Sequence, residues 1–450
     1  MGKQIPNTVS FNLPDGREVT IETGKLATQA DGSVVVKVGK TMLFASVVAS
    51  KKVREGQSFF PLSVDYQEKF ASAGRIPGNF FRRETKLSDY EILTSRLVDR
   101  AIRPLFPEGF MEDTQVIINL ISGDQEELPD AYAALAASAA LTLSEIPWAG
   151  PISEVRVAKI DGEYVINPSR SASENAELDL IVAADSQNIM MVEGEGKECS
   201  EQDVIDAIRT AHNAIKVQCQ AQLDLVKAVG GNAGVKREID AIPEDEELEA
   251  KVVSLTKDDI YKVAKGALSK FDRKAKFDEI KEQLIETLTT EKGEEYMEEN
   301  VELVERYFDK LKKKVIRTMV LEENVRLDGR TPVDIRPMWC EVDYLPSPHG
   351  SAIFTRGETQ SLTSVTLGTK LDSQMVDNAM LQHYEKFILH YNFLAFSVGE
   401  TKPLRAPSRR EVGHANLAGR SIKQVMPDDF PYTVRIVSDI MESNGSSSMA

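Results

Sequence analysis

Three groups of side chains in this sequence have the types and spacing to work on phosphates. The first is Glu442-Ser443-Asn444-Gly445-Ser446-Ser447-Ser448-Met449-Ala450, which follows a β-type run from Tyr432 to Ile440. Glycine lets backbone amides turn toward a ligand, serines add hydroxyl donors, and a helix starting there adds the positive end of its dipole, so the segment reads as an anion cradle. A serine capping an ordinary helix would show the same letters. The second group is Arg409-Arg410, with Glu411 adjacent and His414 four residues beyond Arg410. Planar guanidinium forks match phosphate oxygens two at a time, and a neighbouring carboxylate can hold one in place. The third is Phe80-Phe81-Arg82-Arg83-Glu84, in a loop opened by Gly74-Arg75-Ile76-Pro77-Gly78. Aromatics beside cations in a punctuated loop suit base stacking with backbone pairing, although two phenylalanines could also anchor the loop to a core. Arg96, Arg100 and Arg103 then share one helical face, either lining a polyanion path or forming a solvated stripe.

The elements that must position these groups come twice. Val38-Gly39-Lys40-Thr41 is echoed by Arg356-Gly357-Glu358-Thr359, each followed by an apolar run. Tyr66-Gln67-Glu68-Lys69-Phe70 pairs with His383-Tyr384-Glu385-Lys386-Phe387, Arg82-Arg83-Glu84 with Arg409-Arg410-Glu411, and Val116-Ile117-Ile118 with Val434-Arg435-Ile436. The expected architecture is α/β (α+β): two homologous units over 1–235 and 321–450, the second incomplete, separated by an all-helical piece over 236–320. In the first unit, strands are expected at Ser33 to Val38, Met42 to Val48, Gln115 to Leu120, Val157 to Ile166 and Leu178 to Asp185. Helices are expected at Asp89 to Ile102, Ala131 to Leu143 and Ser200 to Val226. In the middle piece, Ile280, Leu284, Leu288 and Val301, Val304, Phe308 recur at helical spacing, and Pro243-Glu244-Asp245-Glu246-Glu247 reads as a helix start; a spacer is its simplest role. Where the second copy has its serines, the first has Gln125-Glu126-Glu127-Leu128-Pro129-Asp130, whose acids would repel phosphate.

Composition narrows the partners. A formal charge of −17 with 28% charged residues argues against a broadly basic, nucleic-acid-coating surface, so a polyanion must be gripped by focal arginine clusters. Cys199, Cys219 and Cys340 match no zinc or redox spacing and read as packing residues. Met1 to Phe11 lacks the apolar stretch of a signal peptide, and the alanine-rich segment from Ala131 falls short of the roughly 20 residues a membrane span needs. The expectation is a cytoplasmic protein with no membrane contact.

Taken together, the duplicated units, Phe80-Phe81-Arg82-Arg83-Glu84, Thr355-Arg356-Gly357-Glu358-Thr359-Gln360, Ser408-Arg409-Arg410-Glu411-Val412-Gly413-His414 and the serine segment resemble the bacterial polynucleotide phosphorylases along the whole chain. The resemblance implies two ribonuclease PH type domains flanking an all-helical domain, and a reversible, phosphorolytic 3′-to-5′ degradation of RNA to nucleoside 5′-diphosphates in mRNA turnover. It implies that Ser446, Ser447 and Ser448 bind phosphate, with Ser447, Ser448, Arg409, Arg410 and His414 in the catalytic set. It implies that Phe80, Phe81, Arg82, Arg83, Arg100 and Arg356 bind single-stranded RNA, with no DNA expected, in a homotrimer open to an RNA-degradation complex. Inorganic phosphate is the co-substrate, and Mg2+ or Mn2+ is the cofactor, with ligands expected beyond Ala450 and no metal site in the chain itself; Asp179 and Asp185 are not expected to replace them. An alternative of another class is a catalytically inactive RNA-binding or ring-assembly fragment.

Overall fold

Alternation of buried Leu43, Ala45 and Val47 with half-exposed neighbours makes Thr41–Ala49 a central strand of a sheet with one covered face. The computed structural model describes residues 5–54, 57, 59–239 and 244–449. The first unit holds β1 (Asn7–Asn12), β2 (Glu18–Thr23), β3 (Gly32–Val38), β4 (Thr41–Ala49), β5 (Leu62–Glu68) and β6 (Thr114–Ser122). They form one sheet in the order β1-β2-β3-β4-β6-β5. Only β5 and β6 run parallel. A parallel pair needs a long crossover, and that crossover carries α1 (Asp89–Ile102). Alanine-rich α2 (Ala133–Leu143) lies on β3 and β4, buried except at its last residue. Gly32 permits that closeness: a Cβ there would meet the Ala140 carbonyl oxygen at 2.1 Å.

A second sheet follows, β7 (Ser153–Ile160), β8 (Glu163–Ile166), β9 (Leu178–Ala184) and β10 (Ile189–Gly196), in the order β10-β9-β7-β8, with one turn of helix, α3 (Arg170–Ser173), beside it. The long α4 (Glu201–Val229) packs on β7, β9 and β1, so it ties the two sheets together. The middle piece is helical as expected: α5 (Glu246–Lys265), α6 (Lys270–Lys292) and α7 (Glu294–Glu323) enclose Leu284, Leu288, Val304 and Phe308. Asp245 caps α5 by accepting from the Leu248 amide, whereas Pro243 of the expected start lies outside the described residues.

The second unit comprises β11 (Met338–Val342), β12 (Gly350–Arg356), β13 (Gln360–Gly368), β14 (Gln374–Asp377), β15 (Gln382–Glu385), β16 (Phe387–Phe393), α8 (Arg409–Lys423) and β17 (Thr433–Glu442). Its sheet order, β11-β12-β13-β17-β16 with only β16 and β17 parallel, repeats β2-β3-β4-β6-β5. The repeat is real, but its register corrects three of the four landmarks. Both copies carry a bulge at one place, between Met42 and Leu43 opposite Leu120, and between Gln360 and Ser361 opposite Ile440. Glu68 faces Leu120 and Phe393 faces Ile440, so β5 corresponds to β16 and Tyr66 to Tyr391. His383–Glu385 instead lies in the separate β14–β15 hairpin. The Val116–Ile118 and Val434–Ile436 match falls on equivalent strands but two residues out of step.

The helices correct the arginine landmark in the same way. Ser88 and Glu91 form a capping box at the start of α1, and Glu91 also accepts from the Glu68 amide. Ser408 and Glu411 do the same for α8, with Glu411 accepting from the Phe393 amide. Ser408-Arg409-Arg410-Glu411 is therefore the counterpart of Ser88-Asp89-Tyr90-Glu91, and the arginine pair belongs to the second copy alone. The copies face one another through α1 and α8, and the β14–β15 hairpin buries Ala379 and Met380 in the first unit's core. An opening of about 830 Å³ lies between them. No helix among the described residues is long and apolar enough to cross a membrane. Cys219 is buried as expected, but Cys340 is exposed on β11.

Candidate active site

The serine segment is a bound turn. Gly445 and Ser446 have φ of +82° and +53°. A non-glycine residue in that region costs on the order of 1 kcal/mol and persists only where its surroundings over-determine it. The surroundings are the β12–β13 turn and its neighbours. The Asn444 amide donates to Thr359 Oγ1 at 3.3 Å, Asn444 Nδ2 donates to Glu358, and Arg336 Nη1 donates to the Asn444 carbonyl at 3.3 Å. Arg356 Nη2 donates to the Ser446 carbonyl at 3.1 Å, while its buried Nε has no partner. Ser447–Met449 is a single 3₁₀ turn at the end of the described residues. Ser446 is exposed, Ser448 half-buried, and buried Ser447 shares a 2.6 Å hydrogen bond with the Tyr391 hydroxyl.

Cations converge on this turn from α8. Tyr391 meets the His414 ring edge-on at 5.0 Å, which joins the serines to α8 through one aromatic layer. His414 Nδ1 is buried without a partner, and burial, then Arg410 and Arg96, hold the imidazole below its usual pKa. A neutral ring with an open nitrogen can accept or donate to a phosphate oxygen. Arg410 is exposed with its guanidinium 4.4 Å from the centre of the Phe393 ring. Arg409 is differently placed: it is paired with Asp65 and the Val64 carbonyl of the first copy. Arg336 is likewise held below its usual value by burial and by Arg356. Mutual repulsion among cations is relieved when an anion binds between them.

The first copy contributes a cation as well. Arg96 rests on α8 where Gly413 has no side chain, since a Cβ there would meet Arg96 Nε at 2.5 Å. The expected stripe of three arginines dissolves: Arg100 pairs with Glu193, and Arg103 with Asp99 and the Phe60 and Leu62 carbonyls. Phe80 and Phe81 are 93% and 73% exposed, which excludes a core anchor. Arg82 and Arg83 are exposed beside them, and Arg82 Nη1 reaches the Pro77 and Gly78 carbonyls. The loop root is held by Arg75, bonded to Asp377 at 2.6 Å and to the Asn378 carbonyl.

In the first copy the equivalent turn is plugged. Arg17, the counterpart of Arg336, donates two 2.8 Å hydrogen bonds to Glu127, the counterpart of Ser447. Tyr132 also donates to Glu127 at 2.7 Å. Arg156 binds Asp130 and Asp179, and Glu126 accepts from Ser171. The acids there are paired rather than repelling: an internal carboxylate occupies the place of an external anion. Asp89, Tyr90 and Thr94 stand where Arg409, Arg410 and His414 stand in the second copy. Behind them Glu154 is fully buried, with no partner in bonding geometry on either oxygen; desolvation, then Asp130, push it up to about 8 against an opposing Ala134 amide. Burial similarly raises Glu68 to about 7.

Among the described residues no group of three or more His, Cys, Asp or Glu is arranged to hold a metal. Asp179 is taken by Arg156, and Asp185 accepts from the Gln187 and Asn188 amides. The residues present do not fit a magnesium site. The sequence reading missed Arg336 and Tyr391, whose roles depend on contacts far apart in the chain.

Comparison with known proteins agrees with this architecture. The family described as "3′ exoribonuclease family, domain 1" matches residues 15–147 and again 334–450, and its domain 2 matches 150–214. The domain described as "Polyribonucleotide nucleotidyltransferase, RNA binding domain" matches 247–331. Proteins named polyribonucleotide nucleotidyltransferase are similar throughout: one from Phocaeicola vulgatus is 55% identical over 99% of this chain and 62% of its own length. One from Cytophaga hutchinsonii is 55% identical over 98% of this chain and 61% of its own. The chain thus spans about three-fifths of the length of these relatives. With two copies of the family's first domain, each a sheet with the same register, the chain belongs to the 3′ exoribonuclease family.

Proposed function

We propose that the protein is a polyribonucleotide nucleotidyltransferase that degrades RNA from its 3′ end by phosphorolysis. The carrying observation is the turn of the second copy, where Arg336 and Arg356 bond its carbonyls and Tyr391 joins Ser447 to His414, with Arg410 over the neighbouring Phe393, while the first copy's equivalent is filled by Glu127. In this reading the serines and Arg356 hold inorganic phosphate, and Arg410, His414 and Arg96 hold the terminal phosphodiester. An oxygen of the phosphate attacks the phosphorus, the bond to the 3′ oxygen of the penultimate nucleotide breaks, that oxygen takes a proton, and a nucleoside 5′-diphosphate leaves. Bringing two anions together is the main difficulty, and preorganised cations supply the stabilisation as charge spreads over the equatorial oxygens. Phe80 and Phe81, with Arg82 and Arg83, stack on and pair with incoming single-stranded RNA. Arg409 acts through Asp65 to fix α8 against the first copy, and Arg100, already paired with Glu193, contributes field rather than contact. The homotrimer, the cytoplasmic setting and the divalent metal accompany the family resemblance. Incubating the protein with RNA, magnesium and phosphate tests the reading: nucleoside diphosphates support it, and retained RNA without product favours the non-catalytic alternative.

A further inference from the structure

The helical piece reads from sequence as a spacer, yet its α6 start reaches the serine turn. Lys270 Nζ donates to the Ser443 carbonyl at 2.9 Å, and the Lys270 amide donates to Glu358 Oε1 at 3.3 Å. Glu358 is the same carboxylate that accepts from Asn444 Nδ2. The adjacent Phe271 ring lies against Gly399, where a Cβ would meet it at 3.4 Å. Gly399 closes the 3₁₀ turn Ala395–Val398, and Ser397 of that turn accepts from the Ser443 amide at 2.8 Å. The first turn of α6 therefore holds both ends of one short chain: Ser443 through its carbonyl, and Asn444 through Glu358. Directly after these residues the backbone enters the positive-φ pair Gly445 and Ser446.

We infer that Lys270 is a positioning residue for phosphate binding, setting the serine turn from the helical domain without touching the ligand. The inference rests on the reading of that turn as the phosphate site. Its physical basis is that a charge-assisted hydrogen bond to a carbonyl fixes the peptide plane that precedes a strained pair, and a strained pair holds its shape only while its neighbours do. The first copy's turn is gripped from another helix start, where Arg170 of α3 donates its Nε to the Gln125 carbonyl and its amide to the Glu126 carbonyl, both at 2.8 Å, but neither Gln125 nor Glu126 has a positive φ to be held. Two domains therefore meet at one loop, the second unit through the turn itself and the helical piece through Lys270, while Arg96 of the first unit reaches only as far as Gly413 on α8.

The test is calorimetric titration of inorganic phosphate into the intact chain and into Lys270→Met, Lys270→Arg and Lys276→Met, alongside the anisotropy of a labelled oligoadenylate. Lys276 pairs with Glu279 on the same helix away from the turn and controls for the lost charge. Lys270→Met should weaken phosphate about tenfold, the loss expected of one charge-assisted hydrogen bond, with oligoadenylate affinity within about twofold of wild type. Lys270→Arg should recover most of the affinity, and Lys276→Met should resemble wild type. Equal phosphate affinity in wild type and Lys270→Met, or an equal loss in Lys276→Met, would overturn the inference and leave the site standing. Failure of the wild type itself to take up phosphate would overturn the site and the inference together.

Discussion

The two equivalent turns, Asp124–Leu128 and Asn444–Ser448, solve opposite problems with one backbone plan. Both follow a strand bulged at the same place, and both receive a guanidinium from the same position, Arg17 or Arg336. In the first copy the chain supplies its own anion, Glu127, which satisfies Arg17 and Tyr132, although Tyr90 Oη, Arg156 Nε and both Glu154 oxygens nearby are buried without partners. In the second copy a serine replaces the carboxylate, the turn moves into positive φ, and Arg356 Nε and His414 Nδ1 are buried without partners. A buried guanidinium N–H such as Arg356 Nε left without an acceptor is costly, which suits the turn to an external anion. The lesson is that the copies differ in where the negative charge comes from: Glu127 fills the first turn, whereas Ser447 stands there in the second, with Arg409, Arg410 and His414 in place of Asp89, Tyr90 and Thr94.

The largest effect should come from copying the plug. Ser447→Glu, with the half-buried Ser448→Asp as a version less demanding of space, should lower phosphate affinity by at least about a hundredfold in calorimetry, because like charges placed together cost several kcal/mol. A change below about threefold would break the comparison. The converse variant, Glu127→Gln, should destabilise the chain by about 1 kcal/mol in a denaturant melt, since it leaves Asp15 as the one carboxylate on Arg17 and weakens the bonds from Arg17 and Tyr132 to residue 127. Added sulfate should restore more stability to this variant than to wild type, by replacing the missing anion; equal responses would mean that Glu127 is no plug.

A smaller effect concerns pH. Glu154 has its folded pKa raised to about 8, so its contribution is fully present below the unfolded carboxylate value and is lost as pH rises through about 8. Between pH 6 and 9 wild type should lose roughly 2 kcal/mol relative to Glu154→Gln, read from paired melts; parallel curves would contradict the buried, unpartnered carboxylate. The smallest effect on folding belongs to Phe80→Ala and Phe81→Ala. Both rings are exposed, so stability should stay within about 0.5 kcal/mol of wild type, while oligoadenylate affinity falls by about 1 kcal/mol per ring. Unchanged RNA affinity would remove the loop from the RNA path.

Much of this was legible in the sequence. The helix Asp89–Ile102 could be bounded because Ser88 and Glu91 carry the letters of a capping box, and strands β3, β4 and β6 because apolar residues alternate along them. The same signal, Ser-x-x-Glu at 88 and 408, would have aligned the copies correctly. The recurring Arg-Arg-Glu letters misled because they share composition and not backbone role. The β14–β15 hairpin escaped notice because its short strands are exposed, and a one-residue or two-residue error in strand register leaves the hydrophobic pattern nearly intact. Arg17 with Glu127, Arg409 with Asp65 and Lys270 with Ser443 join residues 110, 344 and 173 positions apart, distances over which sequence periodicity carries no information.

The most direct measurement is the anomalous density of tungstate soaked into crystals of the protein. The account predicts one oxyanion beside Ser446–Ser448 within reach of Arg356 and His414, and none beside Glu127. Density next to Glu127 and Arg17, with none at the triple serine, would contradict it.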